Sequence, residues 1–170
     1  MLRGAGIVLA LIVLAACGQS SPTVRASPSA PVAQATWTQD LSFSGDVTGH
    51  MAGIVPNTST QTSACTGAKP RPGQTWADEF YGSIDSGGDI WGVYFVIQNF
   101  GGPGVYKNGA VQIEIHDTNN TKEWLSQAAD SVTFTLDRTQ ESGTVDAMLS
   151  NVDTGKPGAL HLTGHWNCTA

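Results

Sequence analysis

The chain has 170 residues, of which 40% are hydrophobic and 13% are charged, and its 14 Asp and Glu outnumber its 8 Lys and Arg. This length is typical of one domain with an ordinary core plus a linker. The acidic balance and the scattered basic residues argue against nucleic acid or anionic lipid as a direct partner, because both would require a basic patch.

The first 16 residues have the three zones of a secretory signal. One positive charge at Arg3 precedes an apolar run over residues 7–14, and two alanines end the segment. The run is too short to span a bilayer, which takes about 20 apolar residues, and no stop-transfer pattern follows it. We therefore expect residues 1–16 to be removed, which leaves seven basic and 14 acidic residues in the mature protein.

The stretch Leu14-Ala15-Ala16-Cys17 predicts where the mature protein resides. An ordinary secretory cleavage site needs small residues but no cysteine directly after them. The stretch resembles the lipobox of bacterial lipoproteins, and this resemblance covers residues 1–17 only. It implies that Cys17 becomes the first residue and carries diacylglycerol and often a third acyl chain. Since two or three acyl chains hold a protein firmly, the resemblance implies an extracytoplasmic protein anchored by lipid to the cell membrane.

Residues 17–36 are predicted to be the lipidated cysteine followed by a disordered spacer. They are mostly Ser, Pro, Ala, Thr, Gln and Val, with a single charge at Arg25. Such a composition cannot bury enough apolar surface to offset chain entropy. As a flexible coil the spacer would span about 24 Å r.m.s., which would hold the folded domain away from the lipid head groups.

With Cys17 assigned to lipid, Cys65 and Cys168 remain as a pair. In an oxidising extracytoplasmic compartment, two remaining cysteines predict one disulfide. Their separation of 103 residues would close most of the domain into one loop, which the chain-entropy model values at about 4 to 5 kcal/mol. A redox or metal-binding pair is the alternative, but the two cysteines lack the close spacing of a C-x-x-C motif.

Residues 37–170 are predicted to form a single all-β domain. Short runs alternate apolar and polar residues, and Gly, Asp, Asn or Pro turns separate them. The clearest runs cover residues 41–47, 76–84, 90–97, 111–115, 132–136, 145–149 and 160–168. Seven or eight short strands with turns every 8–12 residues predict an antiparallel β-sandwich, with a small β-barrel as the alternative.

Two segments remain open to more than one interpretation. Residues 90–97 are apolar on both faces, which predicts either a central, covered strand or a strand whose second face binds a ligand or partner. Asn120 is a candidate helix cap with Glu123 three residues later, so residues 120–128 are predicted as either a short helix or a strand.

The motif Asp85-Ser86-Gly87-Gly88 resembles the sequence around the nucleophile of trypsin-like serine proteases. That resemblance implies Ser86 as the nucleophile and His50, the only upstream histidine, as its base. However, Ile84 replaces the leading glycine, and His50 precedes Ser86 by only 36 residues, whereas that family separates the two residues across a pair of barrels. A nucleophile also needs its base and an orienting acid within hydrogen-bond reach, so a glycine-rich hairpin turn is the better interpretation.

Four histidines raise the question of a zinc or copper site: His50, His116, His161 and His165. His161 and His165 share one strand face, but at about 3.3 Å per residue they lie roughly 13 Å apart, too far for one ion. Either would need His116 or Glu114 from a neighbouring strand, so histidines on a polar face are the better interpretation and no metal site is predicted.

Two places in the sequence offer oxygen ligands that could bind calcium. Asp85 and Asp89 flank a glycine turn, and residues 117–120 contain Asp and Asn. Neither place has the spaced acids of a dedicated calcium loop. Turns rich in Asp and Asn form for backbone reasons alone, so no calcium site is predicted.

Aromatic residues crowd the middle of the domain. Most of them should be core, because large aromatics dominate core burial. Sugars often stack on exposed rings of β-sandwiches, so the rings that stay exposed would form a ligand platform. The candidates for this platform are Tyr94, Tyr106 and Trp124.

The sequence as a whole predicts a lipid-anchored domain with a non-catalytic binding or envelope-structural role and no cofactor. Its expected partners are the membrane, through Cys17, and a cell-envelope glycan or protein. One alternative is a carbohydrate or small-ligand binding module that uses the exposed aromatics, and another is a hydrolase or metal-dependent enzyme. The domain resembles lipoproteins of high-GC Gram-positive bacteria in composition only, and this resemblance implies no activity.

Overall fold

The alternating segments of the sequence form ten β-strands in the computed structural model, which describes residues 36–56 and 69–169. The strands are β1 (Thr36–Gly45), β2 (Gly49–Pro56), β3 (Trp76–Ser83), β4 (Ile90–Ile97), β5 (Gly104–Lys107), β6 (Gln112–Asp117), β7 (Glu123–Leu125), β8 (Val132–Leu136), β9 (Ser142–Asn151) and β10 (Leu160–Thr169). Ile84–Ser86 is a turn of 3-10 helix. The predicted signal, Cys17, nearly all of the spacer and Cys65 lie outside the described residues. In the described ranges, no helix has the length and apolar character needed to cross a membrane.

All pairings between these strands are antiparallel, so the all-β antiparallel prediction is confirmed. The strand order is β2-β1-β10-β9-β7-β6-β4-β3, and β8 and β5 branch from β9. The branch exists because residues 143–147 of β9 pair with β8 while residues 150–151 pair with β7. The end strands β2 and β3 contact each other. The sheet is therefore nearly closed like a barrel, which corresponds to the alternative prediction rather than to a sandwich of two separate sheets.

The described residues form more strands than the seven or eight predicted. The additional strands are β2, β5 and β7. Gly49 and Gly53, both with positive φ, interrupt the alternation of β2 in the sequence. Strands β5 and β7 have only four and three residues, which is too short for a period of two to be recognised.

The loop before β7 is not a helix. Asn120 has a φ of 52°, whereas a helix N-cap residue is usually extended. The Asp117 carboxylate instead accepts hydrogen bonds from the backbone N–H groups of Thr121 and Lys122. This carboxylate shapes a tight loop that leads directly into β7, so the helix interpretation of this segment is wrong and the strand interpretation is right for Glu123–Leu125.

Aromatic side chains fill the centre of the barrel. Phe80, Phe95, Phe134 and Trp166 come from four different strands, and the neighbouring rings of this cluster lie 5.0 to 5.6 Å apart. Each of the four is at most 1% exposed. Because this part of the interior is occupied by packed rings, a ligand site is expected on the outer surface.

Candidate ligand-binding cleft

A cleft with a volume of about 480 Å³ lies on the outer face of the sheet. Its floor contains Val96 of β4 and Gln112 of β6, which are paired across the two strands. Both side chains alternate with the buried residues of their strands and therefore point outward. Residues 98–99, 108–111 and 125–128 form the sides of the cleft. Two strands thus provide a flat base, and three connecting segments enclose it.

The cleft is uncharged, and its lining combines polar and apolar groups. Five side-chain amides line it: Gln98, Asn99, Asn108, Gln112 and Gln127. Each amide carries two N–H donors and one carbonyl acceptor, and Ser126 adds a hydroxyl. None of the twelve lining residues is Asp, Glu, Lys, Arg or His. The cleft can therefore exchange many hydrogen bonds with a ligand but offers no charge to pair with one.

A buried carboxylate fixes one side of the cleft. Asp130 is 8% exposed and accepts hydrogen bonds from the backbone N–H groups of Gln127 (2.8 Å) and Ser150 (3.1 Å). The Ser150 hydroxyl also donates to it at 2.9 Å. Hydrogen bonds to a charged acceptor are roughly twice as strong as neutral ones, so residues 127–130 are held against β9 before any ligand arrives.

Asn108 ties the other side of the cleft to the same loop. Its Nδ2 donates to the carbonyl oxygens of Gln127 (2.6 Å) and Asp130 (2.8 Å). Both donor hydrogens of this amide therefore serve the fold, and its Oδ1 is the atom left for a ligand. The two sides are linked directly, so the cleft is preformed.

Tyr94 is the predicted platform residue that lies on the same strand as the cleft floor residue Val96. It lies two residues before Val96 on the outward face of β4, beside Glu114 of β6. Its hydroxyl donates to Glu79 Oε1 at 2.6 Å. Partial burial and this carboxylate raise the pKa of Tyr94, so the phenol remains a hydrogen-bond donor at neutral pH. Its half-buried ring packs beside His116, and Tyr94 is not one of the residues that line the cleft.

Trp124 does not form an exposed platform, contrary to the prediction. It is 2% exposed, and its ring packs against Trp91 with centroids 5.8 Å apart. Its two neighbours in β7 are only partly buried, so the alternation of this short strand turns Trp124 toward the core.

Tyr106 holds a loop together. Its hydroxyl donates to the Gly102 carbonyl and accepts from the Gly101 N–H at 3.2 Å, and its ring stacks on Phe100. Tyr94, Tyr106 and Trp124 lie on three different strands, and no ring contact joins any two of them. The predicted three-residue platform is therefore not assembled as one surface.

His116 packs beside Tyr94 rather than facing an open site. The two rings lie 4.9 Å apart, and a Cβ on Gly92 would come within 2.9 Å of both His116 Nε2 and Tyr94 Cε2. The other ring nitrogen, Nδ1, is in contact with Asn120 Oδ1. His116 Nε2 is buried without a hydrogen-bond partner among the described residues, and the space that admits both rings exists because residue 92 is glycine.

Ser86 and His50 are not arranged as nucleophile and base. The His50 Nε2 bonds to Asp40 Oδ1 at 2.6 Å, and this contact lowers the pKa of Asp40. The His50 backbone N–H donates to Asp85 Oδ1 at 2.9 Å. The segment around Ser86 thus holds a turn against β2, in agreement with the glycine-rich turn interpretation.

The histidine and aspartate side chains considered as metal ligands make other contacts. His161 Nε2 pairs with Asp146 at 2.8 Å, and Asp117 accepts hydrogen bonds from its own loop. Across residues 36–56 and 69–169, no three His, Cys, Asp or Glu side chains are grouped so that they could hold a metal ion.

The sequence interpretation missed the five amides of the cleft. They come from segments that read as ordinary turns and strand ends, and a single amide in a turn indicates only local backbone chemistry. The available signal was the repeated occurrence of Gln and Asn at the ends of β4, β5 and β7. Only the strand order brings these segments together.

Comparisons with known proteins do not assign the chain to a family. No protein-family model matches the chain, and neither the curated proteins nor the solved structures include a significant match.

Proposed function

We propose that this chain is a bacterial lipoprotein whose β domain is a non-catalytic, extracytoplasmic binding module. Acyl chains on Cys17 anchor it to the cell membrane, the following spacer holds the domain away from the lipid, and the domain binds a component of the cell envelope. The observation that carries the binding role is the preformed cleft, which combines an uncharged lining rich in side-chain amides with sides fixed by Asp130 and Asn108.

The lipid anchor is supported by the sequence Leu14-Ala15-Ala16-Cys17 and by the short apolar run before it. The composition of the spacer is consistent with a flexible tether. A tethered domain experiences a high local concentration of envelope components, since a linker converts a second encounter into an intramolecular one. A cleft of modest affinity is sufficient in that setting.

A disulfide between Cys65 and Cys168 is part of the proposal. The Cys168 backbone N–H donates to the Glu141 carbonyl oxygen. Lys69 Nζ lies 3.0 Å from the Glu141 carboxylate. Cys65 precedes Lys69 by four residues, which span at most about 14 Å when extended. A span of this length is long enough for Cys65 to reach Cys168, which supports the proposed disulfide.

Nuclear magnetic resonance of the full lipoprotein tests the binding role. The isotopically labelled protein, in a detergent without sugar groups, is mixed with an enzymatic digest of the cell envelope of the producing strain. We expect the side-chain amide signals of Gln98, Asn99, Gln112 and Gln127 to shift together. A digest that leaves all four unchanged would contradict the binding role and leave the envelope-structural role.

A further inference from the structure

We infer that the cleft binds an uncharged, hydroxyl-rich ligand, namely a neutral oligosaccharide of the cell envelope. This inference rests on the proposed binding function and specifies its ligand. The volume of about 480 Å³ lies within the range of roughly 300–1,000 Å³ that is usual for small-ligand sites. A short stretch of sugar chain therefore suits its size.

The lining amides match the chemistry of sugar hydroxyls. A hydroxyl group both donates and accepts, and a carboxamide presents both functions side by side. The side chains of Gln112 and Gln127 are exposed, and neither makes a hydrogen bond to another described residue. They come from opposite parts of the cleft, the floor and one side. A ligand between them would meet donors and acceptors from two directions.

The absence of charge among the lining residues selects against ionic ligands. A phosphate or carboxylate entering the cleft would lose water without gaining a cationic partner, and burial of an unpaired charge is costly. A cationic ligand would likewise find no carboxylate in the lining. A neutral ligand has no such cost, so neutral sugars are favoured over charged ones.

Apolar surface on the cleft suits the C–H faces of sugar rings. Val96 and Leu125 lie on the outward faces of β4 and β7, and Ala110 and Ala128 lie at the sides. Sugar rings present C–H groups on their faces and hydroxyls at their edges. A ring lying on the Val96 floor would direct its hydroxyls toward the amides.

A peptide is the less suitable occupant. Extended peptides usually bind by adding a strand to an open sheet edge. The floor of this cleft is the face of two strands that are already paired, since β4 lies between β3 and β6, and β6 lies between β4 and β7. Their backbone groups are used within the sheet, so a peptide would lose its main source of affinity.

The test separates the envelope digest by charge and adds purified probes. Ion exchange gives a neutral and a charged fraction, and a sample of each is treated with protease. The purified probes are neutral gluco-, galacto-, manno- and arabino-oligosaccharides, with oligogalacturonic acid as the charged counterpart. Each sample is titrated into the full lipoprotein, and the cleft amide signals report binding.

We expect the neutral fraction and at least one neutral oligosaccharide to shift the cleft signals, with the response resistant to protease. Gln112→Ala and Gln127→Ala should each weaken binding about fivefold, because each substitution removes the net contribution of about one hydrogen bond to the ligand. The double variant should weaken binding about 25-fold. Asn167→Ala removes an exposed amide on β10, outside the cleft, and should leave the affinity unchanged. Because all three side chains are exposed, the variants should fold normally.

The outcomes distinguish this inference from the function on which it rests. Cleft shifts caused only by the charged fraction, or abolished by protease, would overturn the neutral-sugar inference and leave the binding function standing. Neutral sugar binding that both glutamine variants leave unchanged would place the sugar elsewhere and would also overturn it. If no fraction shifts the cleft signals, the binding function fails together with the inference.

Discussion

At the scale of single residues, Asp78 is a carboxyl group placed inside the barrel. It lies on β3 between the inward-facing Trp76 and Phe80 and is 3% exposed. Its Oδ1 accepts the Glu79 N–H at 2.9 Å. Its Oδ2 makes no hydrogen bond of good geometry within the described residues, although the nearby Trp37 side chain partly offsets the effect of burial. Burial raises the pKa of Asp78 well above its usual range, because the charged form would be poorly solvated there.

This burial makes stability depend on pH. In the unfolded chain an aspartate ionises near pH 3.9, about its usual value, whereas the folded protein retains the proton to higher pH. The contribution of Asp78 to stability is therefore fully present below about pH 4 and is lost as pH rises toward the folded pKa, at up to about 1.4 kcal/mol per pH unit.

We expect Asp78→Asn to remove this loss, because an amide is neutral at every pH and its Oδ1 can still accept the Glu79 N–H. Urea unfolding followed by tryptophan fluorescence, from about pH 4 to about pH 7, should show the variant gaining stability relative to the native protein as pH rises. Asp89→Asn, in an exposed turn, is the matched control for losing one carboxylate. A stability difference for Asp78→Asn that is the same at every pH would refute the argument.

At the scale of elements, period-two alternation located the strands that bury one complete face. It missed β5, which is short, and β2, whose glycines interrupt the alternation. The run at residues 90–97 coincides with β4, and the run at residues 132–136 coincides with β8, because each buries one complete face. The segment that contains β7 was left open between helix and strand, because three residues contain too little pattern. The register between paired strands could not be predicted either, because the pairing of Val96 with Gln112 depends on which strands are neighbours.

The candidate site was predictable only in part for the same reason. Tyr94 was predicted as a ring that could stay exposed, and it lies on the outward face of β4 without lining the cleft. Trp124 was misjudged because its inward orientation depends on the register of a very short strand. A single Gln or Asn in the sequence does not indicate a binding site. The site forms only where three separate segments meet around the floor of the cleft.

The loop of residues 125–128 is expected to depend on Asp130. Replacing this residue with Ala leaves the N–H groups of Gln127 and Ser150 and the Ser150 hydroxyl without their acceptor, and each buried unpaired group costs about 1–3 kcal/mol. We expect Asp130→Ala to lower the free energy of unfolding by at least about 3 kcal/mol, because three donors lose their acceptor, and to weaken ligand binding at the cleft.

Thermal unfolding and ligand titration of the same variant measure both effects. Asp153→Ala, in the exposed hairpin between β9 and β10, serves as its control and should change stability by less than about 0.5 kcal/mol. If Asp130→Ala kept full stability and full affinity, the cleft would not be held by this carboxylate.

At the scale of the whole molecule, the barrel joins the two ends of the domain. The first strand pairs with the last, from Thr36 opposite Thr169 to Gly45 opposite Leu160. Such long-range pairing requires the intervening chain to be closed into a large loop, which costs entropy that grows slowly with length. A disulfide at Cys168 would reduce this cost by restricting the unfolded chain.

The three cysteines are therefore expected to divide into one anchor and one cross-link. Cys65→Ser and Cys168→Ser should each lower the free energy of unfolding by about 2–5 kcal/mol, and the double variant should lose no more than either single one, because both remove the same bond.

Cys17→Ser should leave the unfolding free energy unchanged while abolishing the acyl mass on the amino-terminal peptide. Urea unfolding and mass spectrometry of the mature protein measure these quantities. Additive losses in the double variant would contradict the cross-link, and an unmodified Cys17 in the native protein would contradict the anchor.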